Sequence, residues 1–271
     1  SAASDVYKRQ VDGGGGVAGW YTYNLVSKHA SIMGLNVDYD PFSTSRPLEP
    51  RPEALRGLCS TVRELSLDLG FAHDGDGDRL ALVDENGGFV DMSRVIALFA
   101  VWALRDRPGK VVVSIDVSMG VREVVERMGG SVVITSLGRI HEAIDGNTIL
   151  AAEPWKIIDT RWGPWADGIR AAAVIASMLS RWNDRFSKLL RAERIPSYPS
   201  IRRSYVVNGN SKDWVFNYVK SRLLSEVRHA LGDARIILID GVKIVGEDGG
   251  ILVRKSGTEP KLRLYAEARE M

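Results

Sequence analysis

The first part of the chain alternates apolar segments with glycine-rich and proline-rich breaks. After a glycine-rich turn that starts at Val11, the apolar spacing changes between the helical period and the strand period. The predicted elements are a helix over 17–33, a strand over 35–40, a helix over 53–65 and a strand over 67–73. The segment "RLALVDENGGFV" then alternates and turns at Asn86-Gly87, which predicts a β-hairpin.

The same alternation returns after the break "RDRPGK" at 105–110. The predicted elements are a strand over 110–117, a helix over 122–128, strands over 131–138 and 147–153, and a helix over 168–179. Strands that alternate with helices favour parallel, doubly wound sheets. The prolines of 192–200 indicate a linker, and the strand-rich remainder surrounds one helix predicted over 214–231.

These patterns predict the fold class α/β, with two successive doubly wound α/β domains followed by a smaller C-terminal α+β domain. We expect an α/β domain over 11–105, a second over 106–192 and the α+β domain over 197–271. Residues 1–10 show neither clear periodicity nor a helix cap, so we interpret them as a non-native or unstructured leader.

Composition excludes several function classes. The formal net charge is +2, and acidic and basic residues are mixed along all 271 residues, so no basic stripe indicates nucleic acid or a membrane surface. No apolar run approaches the ~18 residues of a membrane span, and no signal peptide is recognisable. The single cysteine, Cys59, suits a reducing compartment. We therefore expect a cytoplasmic protein.

The segment "DGDGDR" indicates a cation site. Asp74, Asp76 and Asp78 stand at every second position between two predicted strands, and crowded carboxylates are tolerated where a cation offsets their charge. Oxygen ligands favour Mg²⁺, Mn²⁺ or Ca²⁺ over zinc. An EF-hand matches the aspartate spacing, but Arg79 replaces its required glycine and strands replace its helices. A solvated acidic turn is the remaining alternative.

The glycine-rich turn suggests a different function. Gly14, Gly16 and Gly19 satisfy G-x-G-x-x-G before a helix, and Asp38 follows about 20 residues later, as in dinucleotide-binding domains. The preceding strand is poor, and four consecutive glycines match this pattern easily. A nicotinamide or nucleotide enzyme is therefore a weaker alternative to a tight strand-to-helix turn.

Two further segments indicate sugar-phosphate chemistry. In "AAEPWKIID", Glu153 ends an apolar strand, where a carboxylate can accept hydrogen bonds from sugar hydroxyls. Trp155 suits stacking on a sugar ring, and Lys156 suits contact with a phosphate. In "LVRKSGTEPKLRLY", a turn with backbone N–H groups and hydroxyls lies between two guanidinium groups, which predicts a phosphate site. Its residues are Arg254, Ser256, Gly257, Thr258 and Arg263. A polar hairpin with surface arginines is the alternative.

Taken in order, "DGDGDR", the Glu153 segment before "DGI", and "RKSGTEPKLR" resemble the motifs of the α-D-phosphohexomutases, the phosphoglucomutase/phosphomannomutase family. The resemblance runs from about Val11 to the C-terminus. It implies a four-domain enzyme in which a phosphoserine donates its phosphoryl group to a hexose phosphate, and a bisphosphate intermediate returns the other phosphate to the serine. It also implies Mg²⁺ as the cofactor and a hexose phosphate as the substrate, interconverted between its 1-phosphate and 6-phosphate.

The resemblance assigns a role to each motif. The three aspartates would hold Mg²⁺, and Arg79, the one catalytic residue assigned in this chain, would stand near the reacting phosphoryl group. Glu153 would match the sugar-selecting glutamate of the family, and Arg254, Ser256, Gly257, Thr258 and Arg263 would bind the non-reacting phosphate.

Two departures from the family pattern affect the expected function. "AEPWKI" keeps only the glutamate of the usual Gly-Glu-x-Ser-Gly-His loop, and no Thr-Ala-Ser-His-Asn-Pro-like serine loop is present. We therefore expect the last three domains of a phosphohexomutase, monomeric or homodimeric, that does not turn over alone. The alternative is a non-catalytic sugar-phosphate-binding protein.

Overall fold

A four-stranded sheet contains the first part of the chain. In the computed structural model, which describes residues 8–28, 30–208, 211–227 and 233–269, the first three strands are parallel and the fourth is antiparallel at the edge. The strands are β1 (Lys8–Asp12), β2 (Ser31–Leu35), β3 (Leu69–His73) and β4 (Leu80–Asp84), in the order β2-β1-β3-β4. Every residue of the apolar β3 is buried. The aspartates follow its last residue directly, so they lie where the parallel strands of this sheet have their carboxyl ends.

Two predicted boundaries at the start of the chain are wrong. Residues 8–10, which we assigned to the leader, form the first three residues of β1, whereas residues 1–7 lie outside the described residues. The first helix, α1 (Ala18–Ser27), is shorter than 17–33, because Ser31–Leu35 pairs with β1 as a parallel strand. Gly34 therefore lies inside β2 and does not terminate the helix. Pairing with β1 overrides the local helical spacing of this segment.

The second sheet repeats the topology of the first. Its strands are β5 (Lys110–Ser114), β6 (Ser131–Thr135), β7 (Thr148–Glu153) and β8 (Lys156–Asp159), in the order β6-β5-β7-β8. Again three strands are parallel and the last is antiparallel at the edge. The turn that follows β7 is thus the structural counterpart of the aspartate turn that follows β3.

The helices link the two sheets into one body. They are α1, α2 (Arg56–Glu64), α3 (Met92–Leu104), α4 (Met119–Arg127), α5 (Gly168–Trp182) and α6 (Phe186–Ala192). α3 follows the first sheet but packs on α4 and β7, whereas α5 follows the second sheet but packs on α1. One hydrophobic core runs from Val11 to Ile195 through both sheets. The break at 105–110 separates the two sheets along the chain, but α3 and α5 each pack against elements on the other side of it.

The C-terminal region is an antiparallel sheet covered by one helix. The elements are β9 (Ser200–Val206), α7 (Lys212–Arg222), β10 (Arg235–Ile237), β11 (Val242–Val245), β12 (Gly249–Lys255) and β13 (Lys261–Ala268), with strand order β10-β11-β12-β13-β9. Phe216 of α7 packs on Val242, Val253 and Leu262. The helix is shorter than 214–231: a π-helical turn, Leu223–Val227, follows it, and residues 228–232 lie outside the described part.

The C-terminal region docks on the second sheet through a buried lysine. Lys243 Nζ donates to the carbonyl oxygens of Ile115 (3.0 Å) and Val117 (2.7 Å), just beyond β5. Glu267 Oε1 accepts from the backbone N–H of Met119 (3.0 Å) at the start of α4. Within the described ranges, no helix is long and apolar enough to cross a membrane.

Candidate active site

The aspartate turn between β3 and β4, here called the acidic loop (residues 74–78), gathers three carboxylates. Asp74, Asp76 and Asp78 each offer an oxygen, and these oxygens lie within 4.8 Å of one another. Asp74 Oδ1 accepts the backbone N–H groups of Gly77 (3.1 Å) and Arg79 (3.2 Å), which curls the loop around this carboxylate. Gly77 has φ +77°, and a Cβ there would lie 2.5 Å from Ala18 Cβ, so only glycine fits.

The electrostatics of the acidic loop fit a cation. Burial, followed by the charges of Asp76 and Asp78, raises the pKa of Asp74 to about 6, although backbone hydrogen bonding and the Arg79 charge oppose this. Asp78 Oδ1 is buried and has no hydrogen-bond partner. An all-oxygen set that includes a buried oxygen without a hydrogen bond suits a hard divalent ion such as Mg²⁺.

Arg79 is held above the acidic loop by a residue that the sequence did not indicate. Its Nη1 lies 2.9 Å from Glu49 Oε1, and its Nε lies 3.3 Å from Asp74 Oδ2 and 3.8 Å from Asp78 Oδ1. Glu49 belongs to the proline-rich segment between β2 and α2, 30 residues before Arg79. Such a pairing depends on tertiary structure, so no local pattern could reveal it.

A buried polar network supports the acidic loop from below. His73, the last residue of β3, contacts Thr22 Oγ1 through Nε2 (2.8 Å) and the Arg79 carbonyl through Nδ1 (2.9 Å). Arg46 donates to the His73 carbonyl (2.7 Å) and pairs with Asp12 Oδ2 (2.9 Å). Burial lowers the pKa of His73 to about 4, so the ring is neutral near pH 7 and joins α1 to the acidic loop.

The same network occupies the glycine-rich turn. A Cβ on Gly14 would lie 2.6 Å from Arg46 Cζ, and a Cβ on Gly16 would lie 2.7 Å from the backbone oxygens of Asp74 and Gly75. The glycines therefore allow close packing against Arg46 and the acidic loop. This packing supports the tight-turn interpretation over the dinucleotide alternative, whose ligand would need the space that Arg46 fills.

The turn between β7 and β8, here called the Glu153 loop (residues 153–156), lies directly against the acidic loop. The Leu80 N–H donates to the Trp155 carbonyl (2.9 Å), and Arg79 and Lys156 form an antiparallel bridge. The Lys156 ammonium group pairs with Asp78 Oδ2. Glu153 Oε2 accepts from the Gly138 N–H (2.7 Å). The two turns thus form one continuous surface.

Trp155 is half-buried and makes apolar contacts, and its predicted stacking on a sugar ring stays a prediction. Its backbone has φ +70°, and its side chain packs against two hydrophobic clusters. The indole Nε1 is buried without a hydrogen-bond partner. In this structure the ring therefore supports the Glu153 loop from inside. Asp167 caps α5 as expected, since its carboxylate accepts the Arg170 N–H (2.8 Å).

The β12–β13 turn, here called the arginine hairpin (residues 254–263), brings together two positively charged side chains. Arg254 and Arg263 stand directly opposite each other, an arrangement that destabilises a sheet unless anions offset the charge. Arg254 pairs with Asp240 (2.7 Å) and Arg263 with Glu259 (3.2 Å). Arg263 Nε is buried without a hydrogen-bond partner and retains capacity for an anion.

The turn of the arginine hairpin combines buried and open positions. Ser256 is buried, and its N–H donates to the Lys261 carbonyl (2.9 Å). Gly257 and Thr258 are exposed, and a Cβ on Gly257 would meet no atom within 4 Å. Lys212 Nζ, which sequence reasoning missed, donates to the Ser256 carbonyl (3.0 Å). Across the described ranges, no hydrogen bond or ion pair joins this hairpin to the acidic loop or the Glu153 loop.

Two family models match the parts of the chain that carry the acidic loop and the arginine hairpin. The phosphoglucomutase/phosphomannomutase alpha/beta/alpha domain II matches residues 7–88, which include the acidic loop. The C-terminal domain of the same family matches residues 217–271, which include the arginine hairpin. The chain belongs to the α-D-phosphohexomutase superfamily. The family that its motifs resemble is therefore confirmed.

Individual relatives agree with this membership. The probable phosphoglucosamine mutase of Methanopyrus kandleri is 39% identical over 244 residues, 88% of this chain and 52% of the relative. The phosphopentomutase of Thermococcus kodakarensis is 37% identical over 258 residues, 91% of this chain and 54% of the relative. The chain spans about half the length of the curated relatives it matches.

A solved structure of the superfamily shows the same fold. The phosphoglucomutase/phosphomannomutase family protein of Burkholderia thailandensis superimposes with a TM-score of 0.84 at 25% identity, covering 98% of this chain and 57% of that one. The arrangement of two mixed α/β sheets followed by an antiparallel sheet is thus the phosphohexomutase arrangement, and the predicted fold class is confirmed.

Proposed function

We propose that this chain provides the metal site and the sugar-phosphate site of a phosphomutase, which moves a phosphoryl group between the 1- and 6-hydroxyls of a hexose through a bisphosphate intermediate. The observation that carries the proposal is the continuous surface of the acidic loop and the Glu153 loop. Their contact through Lys156 and Asp78 supports a joint role, in which Glu153 would bind the sugar beside a cation held by the acidic loop.

The acidic loop would hold Mg²⁺ through Asp74, Asp76 and Asp78. When bound, Mg²⁺ would offset the negative charge that develops during phosphoryl transfer. Arg79 presents a second positive charge beside the same carboxylates, and Glu49 fixes its orientation. Because Arg79 is held by Glu49 and Asp74 before substrate binds, its charge would stabilise the transferring group at little reorganisation cost.

The sugar and its distant phosphate would occupy the other two sites. The Glu153 carboxylate would accept hydrogen bonds from sugar hydroxyls. The arginine hairpin would bind the non-reacting phosphate through Arg254, Ser256, Gly257, Thr258 and Arg263. Clamping the far end of the substrate orients the reacting hydroxyl, and orientation of this kind lowers barriers by several kcal/mol. After one transfer, the bisphosphate would turn over so that its two phosphates exchange sites.

A phosphoserine is the donor that this scheme requires, and no serine loop of the family type is present in the sequence. We therefore propose that the chain binds sugar phosphate and ion but needs the phosphoserine from outside residues 1–271 to turn over. The relatives named above are a phosphopentomutase and a probable phosphoglucosamine mutase, so their names suggest a pentose phosphate or a glucosamine phosphate as the substrate. We favour a hexose phosphate.

Isothermal titration calorimetry with Mg²⁺ present tests the binding part of this proposal. We expect glucose 6-phosphate, mannose 6-phosphate or glucosamine 6-phosphate to bind at least tenfold more tightly than the free sugar or inorganic phosphate, because two sites share one ligand. Glu153→Gln should weaken the sugar phosphate but not inorganic phosphate. Equal affinity for sugar phosphate and inorganic phosphate would contradict a sugar site at Glu153.

A further inference from the structure

Lys156 reaches from the Glu153 loop into the acidic loop. Its ammonium group pairs with Asp78 Oδ2, and the side chains of Lys156 and Asp78 are only 28% and 27% exposed. The backbone on both sides is fixed, because Lys156 bridges Arg79 and the Trp155 carbonyl accepts from the Leu80 N–H. The lysine is therefore built into the site, and its contact with Asp78 is not that of a free surface side chain.

The charge balance of the acidic loop depends on this lysine. The loop and Glu49 together have four carboxylates, whereas Arg79, Lys156 and Arg51, which pairs with Glu49, contribute three positive charges at short range. One negative charge remains. The exposed carboxylate is that of Asp76, which makes no hydrogen bond or ion pair with the described part of the chain. The buried Asp78 Oδ1 accepts no hydrogen bond, and it lies 3.8 Å from Arg79 Nε. A divalent ion entering here meets carboxylates whose negative charge is already largely offset.

We propose that Lys156 is a resident cation of the acidic loop that lowers its affinity for the divalent ion until a phosphoryl group draws the ammonium group away from Asp78. The inference rests on the proposed function and adds an order to it. Repulsion between Lys156 and the ion is relieved when phosphate oxygens become the partners of the ammonium group. Metal occupancy is thereby coupled to the presence of sugar phosphate, and an ion is not retained tightly at the empty site.

A double-mutant cycle on Mn²⁺ affinity tests this inference. Free Mn²⁺ is measured by electron paramagnetic resonance with the whole chain, with Lys156→Met, with Asp78→Asn and with both changes. Methionine keeps the apolar stem and removes the charge. We expect Lys156→Met to tighten Mn²⁺ binding about tenfold, the size expected for removing a positive charge near a divalent ion. In the Asp78→Asn background the same change should have less than a threefold effect.

Two further measurements sharpen the test. Saturating glucose 1,6-bisphosphate, whose two phosphates can occupy the arginine hairpin and the acidic loop together, should tighten Mn²⁺ binding to the parent chain several-fold more than to Lys156→Met, after correction for the complex of Mn²⁺ with the sugar bisphosphate. Lys156→Arg should behave like the parent. Lys188→Met is the matched control, since it removes a lysine that pairs with Asp184 on the surface. Thermal unfolding in EDTA checks folding, and Lys156→Gln replaces methionine if that variant does not fold.

Each outcome is decisive. Unchanged or weaker Mn²⁺ binding in Lys156→Met would overturn the inference and leave the metal site standing. A full tenfold gain in the Asp78→Asn background would also overturn it, because the effect would not pass through Asp78. Absence of Mn²⁺ binding in every variant would overturn the metal site and the inference together.

Discussion

The buried imidazole of His73 makes the stability of the fold sensitive to pH. The ring is fully buried between Thr22 and the Arg79 carbonyl, and burial lowers its pKa from 6.5 to about 4. In the unfolded chain the same ring takes up a proton near pH 6.5. Between these two values the unfolded state binds more protons than the folded state, so folding free energy is lost as the pH falls.

The size of the effect follows from the two pKa values. At about 1.4 kcal/mol per pH unit, the difference between 6.5 and about 4 gives a maximum of about 3 kcal/mol below pH 4. At pH 4.5 about 2.5 kcal/mol of this is already lost, and at pH 7.5 almost none. The free energy of unfolding is typically 5–15 kcal/mol, so a loss of this size is readily measured.

Urea denaturation at pH 7.5 and pH 4.5, followed by tryptophan fluorescence, provides the assay. His73→Gln keeps a donor and an acceptor but does not titrate. We expect the parent to lose about 2.5 kcal/mol more than His73→Gln between the two pH values. The exposed His141→Gln is the matched control, which also removes one imidazole. If the parent and His73→Gln lose the same free energy, the buried neutral imidazole is not what links α1 to the acidic loop.

Three further predictions concern single residues. Gln10 is fully buried in β1 with both side-chain polar atoms unpartnered, so Gln10→Met should raise the free energy of unfolding by about 1–3 kcal/mol in urea denaturation; a decrease would contradict the missing partners. Because the pKa of Asp74 is raised to about 6, Mn²⁺ affinity should be constant above pH 7 and fall up to about tenfold per pH unit below 6, and a flat profile down to pH 5 would refute this. Arg263→Gln should weaken glucose 6-phosphate binding at least tenfold by calorimetry, whereas the exposed Arg203→Gln should not.

The chemistry at strand ends could be predicted from the sequence because it is local. The acidic loop follows a short apolar strand and contains its three carboxylates within five residues, and the arginine hairpin has its two guanidinium groups on two strands joined by a short turn. In both cases spacing along the chain fixes spacing in the structure. The phosphohexomutase motifs have the same property, which is why the resemblance identified the family.

Features that depend on distant pairing could not be predicted. Glu49 and Lys156 reach the acidic loop from 30 residues before Arg79 and 78 residues after Asp78, respectively. The exchange of α3 and α5 between the sheets likewise depends on which apolar face meets which sheet. α3 is buried on nearly every side, so its sequence lacks the amphipathic period that marks a helix. The hydrophobic residues of β2 have helical spacing, but the segment is extended because it pairs with β1 through backbone hydrogen bonds.

A segment exchange tests the phosphomutase assignment most directly. The 258-residue matching segment of the Thermococcus kodakarensis phosphopentomutase is replaced by the corresponding part of this chain, and sugar 1-phosphate conversion is followed by ³¹P NMR with Mg²⁺. We expect the hybrid to convert a hexose 1-phosphate to its 6-phosphate, and Asp76→Asn in the hybrid to reduce the rate at least 100-fold. A hybrid that unfolds cooperatively and binds both Mn²⁺ and glucose 6-phosphate, yet converts no sugar phosphate, would contradict the assignment and favour a binding protein.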